Sequence, residues 1–141
     1  MASTSEMSLD TRKLLLALFV DVTQDRNFKP CFKAAHRELH QFFWRLKQDK
    51  RFKPFVQDLL FDTNGNYPHC EQIDELLQEF QLSGVLSRPN PTYKYNDIAI
   101  RANPTAEEFR RGLSGQQAGE YQGILDQFKE DLGVRAKQST V

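Results

Sequence analysis

Three histidines and two cysteines are the side chains of this sequence best suited to metal binding or nucleophilic chemistry. His36 and His40 lie four residues apart, which would place both imidazoles on one helix face at a spacing that can chelate a transition metal. The zinc-protease pattern needs Glu directly after the first His, and this sequence does not have it. His69, Cys70 or Cys31 could complete a metal site. The alternative, which we prefer, is that the histidines are partly exposed helical residues without a metal.

Nucleophilic catalysis has one formal option, a cysteine (Cys31 or Cys70) paired with a histidine. The Gly-flanked serine of hydrolases does not occur, and the Gly-rich stretch 112–123 lacks the Lys-Ser/Thr ending of a phosphate-binding loop. Adjacent carboxylates such as Glu107-Glu108 and Asp74-Glu75 fall on helix faces predicted to be solvated. We therefore expect no catalytic residue, no cofactor and no metal.

Basic and aromatic side chains share one strip along the second predicted helix. At 100° per residue, the strip contains Lys33, Arg37, His40, Trp44 and Lys47. Trp44 either folds over the edge of the core beneath the Lys and Arg stems, or belongs to a contact surface. A contact surface of this type would bind an acidic protein surface or nucleic-acid phosphate.

Charge is segregated along the chain although 19 basic and 19 acidic residues cancel overall. Residues 26–53 contain nine Lys or Arg and two acidic residues, whereas residues 54–82 contain six acidic residues and no Lys or Arg. The blocks could attract each other within the fold or between molecules. Net neutrality argues against attraction of the whole molecule to nucleic acid.

The length of 141 residues favours a single domain with a sizeable core. The longest apolar run, 14–20, is far shorter than the roughly 20 residues of a membrane helix, so we expect no membrane span. The polar residues 1–8 lack the order of zones found in a secretory signal. Two cysteines are too few for a disulfide scaffold, and we predict a cytoplasmic protein.

Hydrophobic spacing and turn residues predict the order of the elements. Helices are expected over 8–22, from Pro30 to about Lys50, from Pro54 to before Asp62, and over 70–82. Two strands follow, Val85–Arg88 and Tyr93–Ile100, around the turn 89–92. The last part is either two helices, 106–113 and 115–132, with capping boxes at Thr105 and Ser114, or one kinked helix.

Two short repeats also make predictions. The tripeptide Phe-Lys-Pro occurs at 28–30 and 52–54, and both copies are interpreted as helix starts because Pro suits a first helical turn. Gly115, Gly119 and Gly123 recur every fourth residue. They predict close packing, either within the protein or at a dimer face.

This order of helices, followed by Ser83-Gly84 and a hairpin, resembles a winged helix-turn-helix domain over about 95 residues. The helix 70–82 would take the place of the recognition helix, and the turn near Asn90 that of the wing. The resemblance implies DNA binding through these two parts. The outward residues of 70–82 oppose this implication, because they are acidic and would face phosphates: Glu71, Asp74, Glu75 and Glu79.

The expected fold is therefore mainly α with a small β-hairpin, a winged-helix-like α+β domain over residues 8–133. Its winged-helix-like core is 8–100 and a C-terminal helical segment is 105–133, between flexible ends at 1–7 and 134–141. The preferred function is a non-enzymatic, intracellular interaction or regulatory module. It would act either through the basic strip that contains Trp44, with a partner that has an acidic protein surface, or through the acidic helix 70–82. The alternative is a DNA-binding regulator with phosphate contacts at Lys33, Arg37, Lys47, Arg88 and Lys94. A small metal-dependent or cysteine enzyme ranks third, and the sequence does not predict an oligomeric state.

Overall fold

A computed structural model describes residues 9–87 and 95–136, apart from the side chain of His36. Within these residues the fold is mixed α+β, with helices packed around a four-stranded antiparallel sheet. The helices are α1 Thr11–Thr23, α2 His36–Gln48, α3 Lys53–Val56, α4 Glu71–Leu82, α5 Pro104–Arg111 and α6 Gly115–Leu132. The strands are β1 Phe28–Lys33, β2 Leu86–Ser87, β3 Tyr95–Ile98 and β4 Gly133–Arg135. No helix among the described residues has the length and apolar character needed to cross a membrane.

Helix α1 lies at the centre of the core. The side chain of Asp10 accepts a hydrogen bond from the Lys13 backbone N–H at 2.8 Å and caps the helix. The predicted cap, Ser8, lies outside the described residues. All seven residues from Leu14 to Val20 are buried, so α1 is covered on every side rather than along one stripe.

A series of aromatic contacts connects α1 with its neighbours. Phe19 of α1 stacks on Phe32 of β1 at 5.2 Å between ring centroids and meets Phe80 of α4 edge-on at 5.6 Å. Phe32 in turn contacts Phe128 of α6, which contacts Phe42 of α2. All five rings are fully buried. Large buried rings therefore fix the positions of four elements relative to α1.

A polar contact also connects α1 with the C-terminal helices α5 and α6. One carboxylate oxygen of Asp21 accepts a hydrogen bond from Arg110 of α5, and the other accepts from the Tyr121 hydroxyl of α6 at 2.5 Å. Burial, together with the negative charge of Asp21, raises the pKa of Tyr121. The phenol therefore remains a hydrogen-bond donor throughout the physiological pH range.

The helix predicted from Pro30 to about Lys50 is present, but its predicted start is wrong. Residues 28–33 form β1, which lies between β3 and β4, and α2 begins at His36, six residues after Pro30. Cys31, Phe32 and Lys33 pair with β3, whereas the pairing with β4 shifts register between Phe28 and Phe32. Pro30 lies within that irregular stretch, where its missing N–H costs no regular ladder bond.

The hairpin predicted after α4 is present as two short strands. Leu86 pairs with Ile98, and Ser87 pairs with Asp97. Gly84 ends the preceding helix with a positive φ of 84°, a conformation that favours glycine, so the predicted Ser83-Gly84 stop is confirmed. The turn 89–92 lies outside the described residues, as do Arg88 and Lys94.

Two separate helices follow rather than one kinked helix. The capping box predicted at Ser114 is confirmed, because the Ser114 side chain accepts from the Gln117 N–H and the Gln117 side chain accepts from the Ser114 N–H. The cap of α5 is Asn103 instead of Thr105, since Pro104 occupies the first helical turn and Asn103 accepts from the Ala106 N–H at 3.0 Å. Residues 133–135, expected at the helix end and in a flexible tail, form β4.

The expectation of close packing fails at two of the three spaced glycines. A Cβ atom on Gly115 or Gly119 would meet no atom within 4 Å among the described residues, whereas one on Gly123 would lie 3.1 Å from the Phe52 ring. The close approach occurs at Gly133, where a Cβ atom would lie 2.4 Å from the Lys129 carbonyl oxygen.

Substitutions of Gly119 and Gly133 by Ala should have opposite effects on the free energy of unfolding. We expect Gly119→Ala to raise the free energy of unfolding by up to about 1 kcal/mol, because Ala favours a helix interior and has open space there. Gly133→Ala should lower it by about 1–3 kcal/mol, because the new methyl group collides with backbone. Urea unfolding followed by circular dichroism measures both, and a stabilising Gly133→Ala would contradict the packing at the end of α6.

Candidate functional site

Two histidines and an aspartate form a compact cluster between α2 and the start of α4. His40 Nε2 lies 3.0 Å from Asp74 Oδ1, and His69 Nε2 lies 3.0 Å from Asp74 Oδ2. The imidazole rings stack with centroids 4.5 Å apart and an angle of 15° between planes. His40 is fully buried, whereas the side chains of His69 and Asp74 are 40% and 34% exposed. One edge of the cluster therefore reaches solvent.

Each member of the cluster is held by a different local structure. His40 lies on the buried face of α2, between Leu39 and Phe42. His69 is fixed by two backbone hydrogen bonds with Asp62, which close the loop before α4. Asp74 lies in the first turn of α4, where a negative charge favours the helix dipole.

Backbone geometry fixes the proton on His40. The N–H of Cys70, the N-cap residue of α4, donates to His40 Nδ1 at 2.9 Å. Because a backbone N–H can only donate, Nδ1 carries no proton, so Nε2 carries it and donates to Asp74. The buried His40 thus accepts a hydrogen bond from the N-cap N–H of α4. The side chain of the N-cap residue, Cys70, makes no capping hydrogen bond.

The surroundings of the cluster combine an aromatic wall with an acidic groove. The Tyr67 ring lies 6.1 Å from the His40 ring and 6.3 Å from that of His69, and the Arg37 guanidinium is 5.9 Å from the Tyr67 centroid. On the open side, His69 borders a groove of about 430 Å³. The other residues that line this groove are Leu60, Phe61, Asp62, Glu71, Gln72 and Glu75.

The two thiols lie away from solvent. Cys70 and Cys31 are both buried, and burial raises the pKa of each thiol. A nucleophilic cysteine needs a lowered pKa and access to substrate. Neither condition is met at these positions, which does not support the cysteine-enzyme alternative.

The predicted basic strip does not form one exposed surface. Arg37 is exposed and Trp44 is half-buried, but His40 is fully buried, contrary to the expectation of a partly exposed histidine. Lys33 belongs to β1 rather than to the second helix. Lys47 donates to the Leu59 carbonyl oxygen. The strip is interrupted because α2 begins at His36 and turns His40 toward α4.

Sequence reasoning found part of the cluster. The sequence offers His40 and His69 as candidate metal ligands, whereas its pattern predicts that Asp74 is a solvated carboxylate. The proximity of His69 and Asp74, five residues apart around the start of a predicted helix, was the available signal. His36 is the first residue of α2, and its side chain lies outside the described part of the structure.

No protein-family model, curated protein or solved structure matches the chain.

His40 should contribute more to stability than its stacked neighbour. His40→Ala removes a buried ring and deprives the Cys70 N–H of its acceptor, so we expect the free energy of unfolding to fall by about 3 kcal/mol. His69→Ala is the matched control and should cost less than about 1 kcal/mol, because its contact with Asp74 is partly solvated. Urea titration compares the two, and equal costs would contradict the buried role of His40.

The thiols should react slowly in the folded protein. Iodoacetamide at pH 8 is expected to modify Cys31 and Cys70 at least about tenfold more slowly in the native protein than in urea, because burial restricts access and disfavours the thiolate. Mass spectrometry of peptides identifies the modified residue. Rapid native labelling of either cysteine would restore the cysteine-enzyme alternative.

Proposed function

We propose that this protein is a non-enzymatic protein-interaction or regulatory module of winged-helix-like form, and that it contacts its partner through the exposed face of α4. Its partner is a protein with a basic surface that also contains apolar side chains. We assign it to the cytoplasm, where a reducing environment keeps buried thiols such as Cys31 and Cys70 free.

The order and pairing of the elements support the winged-helix part of this proposal. Helix α1, strand β1, helix α2, helix α4 and the hairpin β2–β3 follow one another, with the short α3 between α2 and α4. In the sheet, β3 lies between β2 and β1. This arrangement resembles a winged helix, with α4 as the counterpart of the recognition helix and with α5, α6 and β4 as an addition to that core.

The observation that carries the functional proposal is the charge of α4. Glu71, Glu75 and Glu79 are exposed at successive turns, and residues 71–82 contain no Lys or Arg. Glu79 accepts a hydrogen bond from the Arg12 guanidinium at 2.7 Å, and Arg12 offsets its charge. Because both side chains are about half exposed, this pair contributes little free energy, and a basic group of a partner can replace Arg12. A helix of this charge repels phosphate and attracts a basic protein surface.

Exposed apolar side chains give the same face a second property. Leu82 is 83% exposed at the end of α4 and lines an open groove of about 440 Å³ with Glu75, Gln78, Glu79 and Ser83. Glu75 also lines the groove beside His69, where Leu60 is 75% exposed. Two exposed leucines among carboxylates fit a partner that offers apolar side chains between basic ones.

A basic partner replaces the acidic partner expected from sequence. The expected acidic partner required Lys33, His40 and Lys47 to share an exposed strip, and these three residues do not share one. Arg37 remains exposed and provides a direct comparison with the α4 face in binding experiments.

Charge reversal on α4 tests the proposal. Tagged wild-type protein and the double variant Glu75→Lys/Glu79→Lys are used to capture proteins from the cells that express the chain. We expect the partner to bind the variant at least about tenfold more weakly, because two attractive charges become repulsive. The matched control is Asp126→Lys/Glu130→Lys on α6, which reverses two exposed acidic residues elsewhere and should retain the partner.

Two results would contradict the proposal. If Arg37→Glu/Trp44→Ala loses the captured partner while the α4 variant keeps it, the contact lies on α2. If the wild-type protein instead binds mixed duplex DNA at about 50 mM salt, with affinity that falls steeply as salt is added, the protein is a DNA-binding regulator.

A further inference from the structure

The donor atoms of the cluster are arranged as ligands of one cation. His40, His69 and Asp74 each offer one ligand atom, and these three atoms all lie within 4.8 Å of one another. Each imidazole Nε2 lies 3.0 Å from a different Asp74 oxygen, His40 from Oδ1 and His69 from Oδ2. Ligands about 2.0–2.2 Å from a shared zinc ion lie roughly 3–3.5 Å apart. We propose that His40 Nε2, His69 Nε2 and the Asp74 carboxylate bind a divalent transition-metal ion of the zinc class.

The chemistry of the donors selects this class of ion. Two imidazoles and one carboxylate suit zinc and its transition-metal neighbours, whereas calcium and magnesium prefer oxygen ligands. Three protein ligands leave at least one position of a tetrahedral ion open. That position faces solvent, because His69 and Asp74 are partly exposed while His40 closes the inner side. The site therefore exchanges its ion with solvent.

Local charge also favours a cation. Asp62, Glu71 and Glu75 line the groove that His69 borders. Their carboxylates make the open side of the cluster negative and raise the local concentration of divalent ions. Arg37, whose guanidinium lies 5.9 Å from the Tyr67 ring centroid, is an opposing positive charge near the cluster.

Ion binding at His40 must alter the start of α4. A neutral imidazole carries one proton, so coordination through Nε2 moves the proton to Nδ1. Without the ion, the Cys70 N–H donates to Nδ1. With the ion bound, Nδ1 carries a proton and faces the Cys70 N–H, and two donors cannot form a hydrogen bond with each other. Binding of the ion and the hydrogen bond from Cys70 to His40 therefore exclude each other. In the ion-bound protein the Cys70 N–H loses His40 as its acceptor.

This coupling makes the ion a regulator of α4. The cluster lies at the beginning of the helix whose exposed face is proposed to bind the partner, so a change at Cys70 moves Glu71 and the residues that follow. The regulatory step rests on the proposed function, whereas binding of the ion does not.

Calorimetric titration of the full chain with Zn²⁺ at pH 7.5 tests the site. The wild-type protein should bind one ion, and His69→Ala and Asp74→Asn should each weaken the affinity at least tenfold. The matched control is Asp126→Asn, which removes an exposed carboxylate on α6 that does not line this groove and should change the affinity less than threefold. Circular dichroism of each variant verifies folding, and both ligand substitutions are at partly exposed positions.

Nuclear magnetic resonance tests the coupling. Without metal, the imidazole nitrogens of His40 should report a proton on Nε2. With one equivalent of Zn²⁺ they should report Nδ1–H, and the Cys70 amide resonance should shift. The proposed site would be wrong if the wild-type protein bound no Zn²⁺, or if His69→Ala bound Zn²⁺ as tightly as the wild-type protein does. Zinc binding with an unshifted Cys70 amide would show that His40 is not a ligand and would overturn the three-residue assignment.

Partner capture with and without Zn²⁺ separates the two proposals. A partner lost on Glu75→Lys/Glu79→Lys but unaffected by zinc would keep the α4 contact and overturn the regulation. Zinc binding by a protein that shows no α4-dependent partner would keep the metal site and overturn the proposed function.

Discussion

Burial of α1 on every side is the constraint on which the rest of the structure depends. A helix with seven consecutive buried residues, Leu14 to Val20, has no face to offer solvent, so sheet and helices must enclose it. Phe19 directs this enclosure by contacting both β1 and α4 through large rings. Asp21 provides the polar counterpart, since Arg110 and Tyr121 reach its carboxylate from α5 and α6. The C-terminal helices are thereby part of the same core.

The contact between α2 and α4 differs in kind from the contacts around α1. His40 occupies a core position of α2, and a buried imidazole requires polar partners. The Cys70 N–H and the Asp74 carboxylate supply them, so the start of α4 is held by hydrogen bonds with defined donors and acceptors. An apolar contact places no demand on donors and acceptors, whereas this contact requires a donor and an acceptor in the right places. It lies at the start of α4, the helix whose acidic face is proposed to meet a partner.

Much of the fold could be predicted because local signals agreed with the final packing. The helix 70–82, its Gly84 stop and the capping box at Ser114 each depend on residues within a few positions of one another. The predictions were wrong where the structure of a segment depends on residues that are distant in the sequence. Phe-Lys-Pro is part of β1 at 28–30, where Phe28 pairs with Arg135 of β4, and lies at the start of α3 at 52–54. The same three residues thus adopt different structures because their distant neighbours differ.

By itself the sequence determined which residue types were available: one apolar core, an acidic helix without basic residues, and a few imidazoles. Charge and periodicity are properties of the chain, so they could be read without coordinates. Tertiary structure decided which of these residues meet. It turned His40 inward, brought His69 and Asp74 to it, and separated Lys33 and Lys47 from the predicted basic strip. One physical reason is that α2 starts at His36 rather than at Pro30. The other is that the buried imidazole of His40 finds its hydrogen-bond partners far along the chain. These are the Cys70 N–H, 30 residues away, and the Asp74 carboxylate, 34 residues away.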